Sequence, residues 1–378
     1  MARIRLGMVG GGRGAFIGEV HRIAARLDGQ YALLAGALSS TLDGSRESGA
    51  ALGLDPARCY GSFEAMAEDE AARENGIEAV AIVTPNHLHG AAAAAFLRRG
   101  IHVLCDKPLT ATMAQAEALA QAVRQSDALF ILTHNYTAYP MIRQAREMVA
   151  RGDLGALRVV QVEYAQDWLA EESASKQAAW RTDPERSGLG GAVGDIGTHA
   201  HNLACFVSGQ KVAALAADLQ SFVPGRRVDD NGHVMLRFDG GARGMLWFSQ
   251  VAVGCENGLQ LRLYGETGGL EWRQEDPNRL WFTRFGQPKQ LLTRGGAGAG
   301  EAANAVSRIP GGHPEGYLEG FANLYTEAAE VIRAAQEGRR SEALGLLPGL
   351  EEGLAGMRFI AACVESSFAD SAWCQLEP

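Results

Sequence analysis

Asp195 and His199 stand four residues apart in the run GGAVGDIGTHAHN, residues 190–202. On a helix that spacing brings two side chains to one face, about 5–6 Å apart at Cβ. Three kinds of chemistry fit such a couple: a surface ion pair, two ligands of a metal, or an acid–base pair in a pocket. Val193, Ile196, Ala200, Leu203 and Val207 form an apolar stripe at helical spacing, with Asp195, His199, Asn202 and Phe206 beside it. The pair therefore lies at the edge of a buried surface. Gly190, Gly191, Gly194 and Gly197 let another backbone or a ligand come close. His201 is two residues from His199 and diverges from it on a helix, and no further Asp, Glu, His or Cys stands at ligand spacing, so no metal is assigned.

Lys107, in CDKPLT (105–110), is a second candidate for proton transfer. A lysine closed into a pocket has its pKa lowered and serves as acid or base; the other reading is an exposed loop lysine. Asp106 can tether it, and a cis bond to Pro108 would fix where it points. In TPNHLH (84–89), Asn86 offers a donor and an acceptor, and His89 is either a ligand contact or a structural cap. In THNYTAYP (133–140), Asn135 and Tyr136 are expected to face a cleft between domains.

VGGGRGAFIGEVH (9–21) reads as a strand, a glycine turn and a helix start, which together make an anion site. Gly10 and Gly12 fit the first two glycines of the dinucleotide fingerprint GxGxxG. Ala15 has the spacing of the third, but Gly18 better opens the helix that carries His21, which makes the loop about three residues longer. Arg13, Phe16 and Ile17 join these as candidate cofactor contacts, with Ser39, Ser40, Arg46, Thr84, Pro85, Asn86, His89, Asp106, Lys107 and Asn135. The second strand ends in Ser39–Ser40 rather than an acid. Arg46 can pair a 2′-phosphate and Asp43 can serve a ribose hydroxyl, so both NAD and NADP stay open.

The elements that must position these residues alternate through the first third. Strands are expected at 3–9, 31–38, 77–85, 101–105 and 129–133, and helices at 16–27, 43–54, 87–99 and 112–126. Such alternation implies a parallel sheet covered on both faces. A helix near 140–151 follows, then a strand at 157–166 and the helix at 194–208. Hairpins at 233–251 and 259–274, a flexible loop at 294–304 and terminal helices near 316–336 and 343–368 complete the chain. The fold class is α/β: a Rossmann dinucleotide-binding domain over 1–135, then an α+β domain over 136–378 with a large, mostly antiparallel open sheet.

The chain has 378 residues and a net charge of −9, which argues against nucleic acid or an anionic membrane surface as partner. Apolar runs such as AAAAAFL (91–97) are too short to span a bilayer. The start MARIRLGMVGG lacks secretory-signal features. The six cysteines form no CxxC and read as free thiols, which points to the cytoplasm.

A strand–glycine–helix start, TPNxxH, an acid–Lys–Pro strand end and GxxxDxGxH occur here in one order, and in that combination the chain resembles the Gfo/Idh/MocA oxidoreductases over essentially its whole length. The resemblance implies a hydride transfer between NAD or NADP and a hydroxyl-bearing carbon of a sugar, inositol or related polyol. Lys107 matches the family's catalytic lysine, His199 its acid/base histidine and Asp195 the aspartate beside it. Asn86 and Asn135 match residues near nicotinamide and substrate. WRTDPERSG (180–188) and HPEGYLEGF (313–321) are similar to the sugar-acting subgroup, which makes Trp168, Trp180, Arg181, His313 and Tyr317 expected sugar contacts beside Tyr136. A homodimer or homotetramer is implied as well. The chain departs from the family pattern in its longer glycine loop, in Asp106 where glutamate is usual, in the missing acid of the second strand and in Asn202 where an aspartate often follows. Two other activities share the scaffold, an NAD-dependent glycosidase that oxidises its substrate transiently and a non-catalytic dinucleotide-binding regulator.

Lys107→Ala is expected to lower turnover at least 10²-fold, within the span general acid–base catalysis supplies, while dinucleotide binding persists. Steady-state rates beside cofactor titration check this, and unchanged turnover removes Lys107 from the chemistry.

Overall fold

The run IRLGMVG forms β1 (Ile4–Gly10), buried at nearly every residue. A computed structural model describes residues 2–173 and 175–376. β2 (Tyr31–Ala37), β3 (Ala79–Val83), β4 (His102–Cys105) and β5 (Phe130–Leu132) complete a five-stranded sheet. Its order is β2–β1–β3–β4–β5 and every pairing is parallel. β3, AVAIV, is buried throughout, as a strand covered on both faces must be. The strand order reverses between β1 and β3, and the crevice beyond the strand ends at such a point is where open α/β sheets bind ligands.

Helices Phe16–Leu27, Leu42–Ala51, Phe63–Ala72, Asn86–Leu97 and Met113–Arg124 connect these strands. Thr41, Ser62 and Thr112 start three of them, each hydroxyl accepting a first-turn N–H. The helix Phe63–Ala72 was not expected from the sequence. Its FEAMAEDEAA buries Met66, Ala67 and Glu70, and Glu70 is held by Arg58, so no apolar stripe marks it.

The second sheet contains β6 (Leu157–Ala165), β7 (Val212–Gln220), β8 (Asn231–Phe238), β9 (Arg243–Ser249), β10 (Gly258–Gly265), β11 (Gly268–Arg273), β12 (Arg279–Arg284), β13 (Gln290–Thr293) and β14 (Cys374–Gln375). Its order is β13–β12–β11–β10–β6–β9–β8–β7–β14. β6 and β9 pair in parallel and the other described pairs are antiparallel, so the expected mostly antiparallel sheet is present. Both expected hairpins form, as β8–β9 and β10–β11. β7 is largely alanine and β12–β13 lie toward one edge, and none of the three was expected from the sequence.

Two expectations need correction. The terminal helix runs Leu350–Phe368, preceded by a 3-10 turn Glu342–Leu346. Pro348 separates them, and Leu347 before it is extended, as a residue preceding proline tends to be. The glycine-rich stretch 294–304 is not a free loop at its start. Arg294 is buried, ion-paired to Glu315 at 2.8 Å, and donates to the carbonyls of Ile309, Pro310 and His313.

The chain divides into two compact units, Met1–His134 with Phe321–Leu354, and Asn135–Gly320 with Ala355–Pro378. In the first, a Cβ built on Gly18 lies 2.3 Å from Gly11 Cα and 2.8 Å from Gly11 O, so the helix Phe16–Leu27 rests directly on the turn after β1. Gly18→Ala must push that helix away from backbone atoms that have no rotamer to yield. The variant is expected to lose about 1–3 kcal/mol, seen as a fall of several degrees in Tm by calorimetry; an unchanged Tm would show that the turn adapts.

Candidate active site

At the end of β1, Gly10 and Gly11 take φ of +79° and +71°. That left-handed region favours glycine, and it folds the chain into a tight turn after the strand. A Cβ on Gly12 would lie 2.4 Å from the carbonyl of Leu38, so β2's end presses on the same turn. Ala15 is the residue before the helix Phe16–Leu27, which begins without a side-chain cap. Gly18, not Ala15, is therefore the packing glycine, and the longer loop is real. Arg13 is exposed and pairs with Glu47 at 2.9 Å. Phe16 is exposed at the helix start, with Ile17 half-buried behind it. Ser39 and Ser40 follow β2, and Arg46 is exposed on the next helix. The glycine cradle, the uncapped helix start and the Thr84 hydroxyl, buried without a hydrogen-bond partner among the described residues, fit a dinucleotide's phosphates and polar groups.

Thr84 and Pro85 follow β3, and Asn86 opens the next helix, buried. His89 is a structural bridge: Nε2 lies 2.8 Å from the Thr84 carbonyl and Nδ1 2.8 Å from that of Pro108. Burial lowers its pKa. The Lys107–Pro108 bond is cis. Asp106 and Lys107 are half-buried beyond β4, and Asp106 accepts from the Thr133 hydroxyl at 3.1 Å. Thus the glycine turn, Thr84–Asn86, His89 and Asp106–Lys107 all stand past strand C-termini of one sheet.

The remaining candidates belong to the second unit. Asn135, on the turn Asn135–Ala138, is buried, and its Nδ2 has no partner among the described residues. The run that carries Asp195 is not the uniform α-helix expected. Val193–Gly197 forms a π-helical turn that passes into the α-helix Thr198–Ser208. A Cβ on Gly191 would lie 2.2 Å from the Asp229 carbonyl, and one on Gly197 3.2 Å from the Phe248 ring. The glycines admit neighbouring backbone and an aromatic ring. The Asp229 carboxylate accepts the N–H groups of Gly191 and Val193, both at 2.7 Å, and so anchors the turn's start.

Asp195 accepts from Arg181 Nε at 3.1 Å and from Gln250 Nε2 at 2.9 Å. The Arg181 guanidinium lies 4.2 Å from the Trp180 ring and 5.8 Å from that of Trp168. His199 packs edge-on to Tyr136 at 4.8 Å between centroids. Tyr136 also meets the rings of Tyr164 and Tyr317. A hydrogen-bonded line runs from the Tyr136 hydroxyl to Tyr164 (2.6 Å), then Asn257 (2.8 Å), Gln166 (2.7 Å) and Trp168 (3.0 Å). The structure thus gathers Tyr136, Trp168, Trp180, Arg181, Asp195, His199 and Tyr317. His313 is exposed and its Nδ1 turns toward the Pro310 carbonyl, so no described contact brings it into this group. Tyr164, Gln166, Gln250 and Asn257 were not found from the sequence; the period of two along β6 puts Tyr164 on the inward face with Val160 and Val162, a signal that was available. Among the described residues no three His, Cys, Asp or Glu side chains cluster as metal ligands would, and no helix is long and apolar enough to cross a membrane.

Residues 4–134 match the model of an oxidoreductase family with an NAD-binding Rossmann fold, and residues 142–271 match the GFO/IDH/MocA C-terminal domain. An oxidoreductase of Sinorhizobium meliloti is similar at 59% identity with a TM-score of 0.91, covering 99% of this chain and 100% of that one. An inositol dehydrogenase homologue of Azotobacter vinelandii, solved with NADH and myo-inositol, shares 36% identity with a TM-score of 0.93 over 99% and 98% of the two chains. An uncharacterised oxidoreductase of Bacillus subtilis is 34% identical over 99% of this chain and 97% of its own.

Burial pushes the Asp229 carboxyl up to about 6, although the N–H groups of Val193 and Gly191 oppose the shift. A folded pKa above the unfolded one gives stability that is full at acid pH and is lost as pH rises to the folded value. The stability difference between the native chain and Asp229→Asn is therefore expected to fall between about pH 4 and pH 6, by roughly 2 kcal/mol, and to level off above. Tm measured against pH for both proteins checks this; parallel curves would show that Asp229 does not titrate there.

Proposed function

Because the chain belongs to the Gfo/Idh/MocA oxidoreductase family, we propose that it is an NAD(P)-dependent dehydrogenase acting on a hydroxyl-bearing carbon of an inositol, sugar or related polyol. Its first unit is an NAD-binding Rossmann domain. The observation that carries the substrate class is the wall around His199: aromatic rings of Tyr136, Tyr164 and Tyr317 interleaved with the amides of Asn257, Gln166 and Gln250. A polyhydroxylated ring offers apolar C–H faces and a rim of hydroxyls, and such a wall answers both. The inositol dehydrogenase homologue solved with NADH and myo-inositol supports the same class.

Gly10–Gly12, the start of the helix Phe16–Leu27 and Thr84–Asn86 hold the dinucleotide. A dinucleotide held there would supply the hydride chemistry. His199 is the group that accepts the substrate hydroxyl proton, and Lys107 the group that stabilises alkoxide character. Asp195, fixed by Arg181 and Gln250, orients the neighbouring hydroxyl. Because Arg181 is already paired with a carboxylate, the site suits an uncharged polyol better than a sugar acid.

The experiment is reduced-nicotinamide absorbance with NAD⁺ and NADP⁺ offered separately against inositols, aldoses, sugar acids and glycosides. Net reduction with an uncharged polyol or aldose is expected. Aglycone release without net reduction would replace the dehydrogenase with a redox-neutral glycosidase, and tight dinucleotide binding with no turnover on the panel would favour a regulator.

A further inference from the structure

From Asp106 the first unit holds a line of polar groups, Thr133, His21 and Tyr325, to which the proposed reaction gives no role. Thr133, just past β5, donates its hydroxyl to Asp106 Oδ1. The same Asp106 oxygen lies 3.9 Å from His21 Nε2, on the helix Phe16–Leu27. His21 is fully buried, and its Nδ1 lies 2.8 Å from the hydroxyl of Tyr325 on the helix Tyr317–Gln336. Tyr325 is itself fixed, since its carbonyl accepts the Tyr31 hydroxyl at 2.8 Å. The rings of Phe321 and Tyr325 close around the imidazole at 5.0 and 5.7 Å.

Charge decides the tautomer. His21 Nε2 makes no hydrogen bond among the described residues and faces a carboxylate. A lone pair there would meet negative charge in an apolar surround, whereas an N–H dipole is attracted to it. The favoured arrangement has Tyr325 donating to Nδ1 and the proton on Nε2. Burial keeps the Tyr325 phenol protonated and able to donate. Asp106 accepts from Thr133 and is coupled electrostatically to His21, the adjacent Lys107, His89 on the helix Asn86–Leu97, Tyr325 and Cys105. Burial pushes the Asp106 carboxyl up, but His21, Lys107 and His89 together hold it below its ordinary value.

We propose that His21, locked in one tautomer by Tyr325, is a positioning residue for Lys107: its Nε2–H steadies Asp106 as a fixed counter-charge beside the lysine. A steadied carboxylate favours the ammonium form and one orientation of it. The inference rests on Lys107 stabilising alkoxide character, as proposed above. His21 never meets substrate; it acts through Asp106.

The test reads Lys107 with neither substrate nor dinucleotide present. The pH dependence of Lys107 acylation by a small anhydride is followed by peptide mass spectrometry in the native protein, His21→Phe, His21→Gln and Tyr325→Phe. Phe keeps a ring and loses the N–H, while Gln restores an N–H at the ε position. The midpoint is expected to move down by about half a pH unit or more in His21→Phe, because a loosened counter-charge favours the neutral amine. Tyr325→Phe should move it the same way, and His21→Gln should stay close to native. With a substrate in hand, kcat should fall about tenfold in His21→Phe while dinucleotide Kd holds, which is the loss of one transition-state contact. An unchanged midpoint in folded Tyr325→Phe or His21→Phe overturns the proposal, as do equal shifts in the Phe and Gln variants, which would report packing alone. A panel without a substrate would count against the dehydrogenase, and the labelling would still decide the role of His21.

Discussion

The contact of Gly18 with Gly11 sets much of the first unit. With no side chain at either residue, the helix Phe16–Leu27 settles onto the turn after β1 at a separation a methyl group would forbid. One turn further along the same helix face lies His21, so the closeness of the glycines also decides how deep the imidazole sits. From that depth it reaches the segment after β4. A backbone contact between two glycines thus connects the anion cradle of one strand end with the carboxylate of another.

The second unit solves a comparable problem differently. Its acid and histidine stand on a π turn that must begin at a defined point, and the Asp229 carboxylate supplies that point by taking two backbone N–H groups. A carboxylate whose pKa is raised costs stability at neutral pH, and the wider π turn alters which side chains share a face with Asp195. The arrangement favours geometry over stability, as functional sites commonly do.

Much of this was legible in the sequence because the chemistry sits at chain punctuation. Glycine turns, Thr-Pro-Asn, Asp-Lys-Pro and the Asp–x₃–His spacing each mark a strand end or a helix start, and parallel alternation places strand ends along one edge. What stayed hidden depends on contacts between distant segments. The helix Phe63–Ala72 is held by a Glu70–Arg58 pair rather than an apolar stripe, so periodicity does not announce it. β7 gains its register from β8 and β14, not from its own alanines. Asn257, Gln166 and Gln250 become a wall only when β6, β9 and β10 lie together. The link between His21 and Tyr325 spans 304 residues. Helical spacing shows that the last helices are amphipathic and says nothing of which unit they complete.

That last separation bears on the order in which the chain is made. The first unit needs Phe321–Leu354, so its leading 134 residues leave the ribosome without the helix that seals His21 and Tyr31. Until that helix emerges, His21 lacks Tyr325, the polar line that ends at Asp106 is incomplete, and Tyr31 lacks its hydrogen-bond acceptor. Loop closure over so many residues is a slow event compared with local helix formation. The nucleotide-binding half therefore finishes folding only near the end of translation, after the whole β6–β13 sheet has been synthesised.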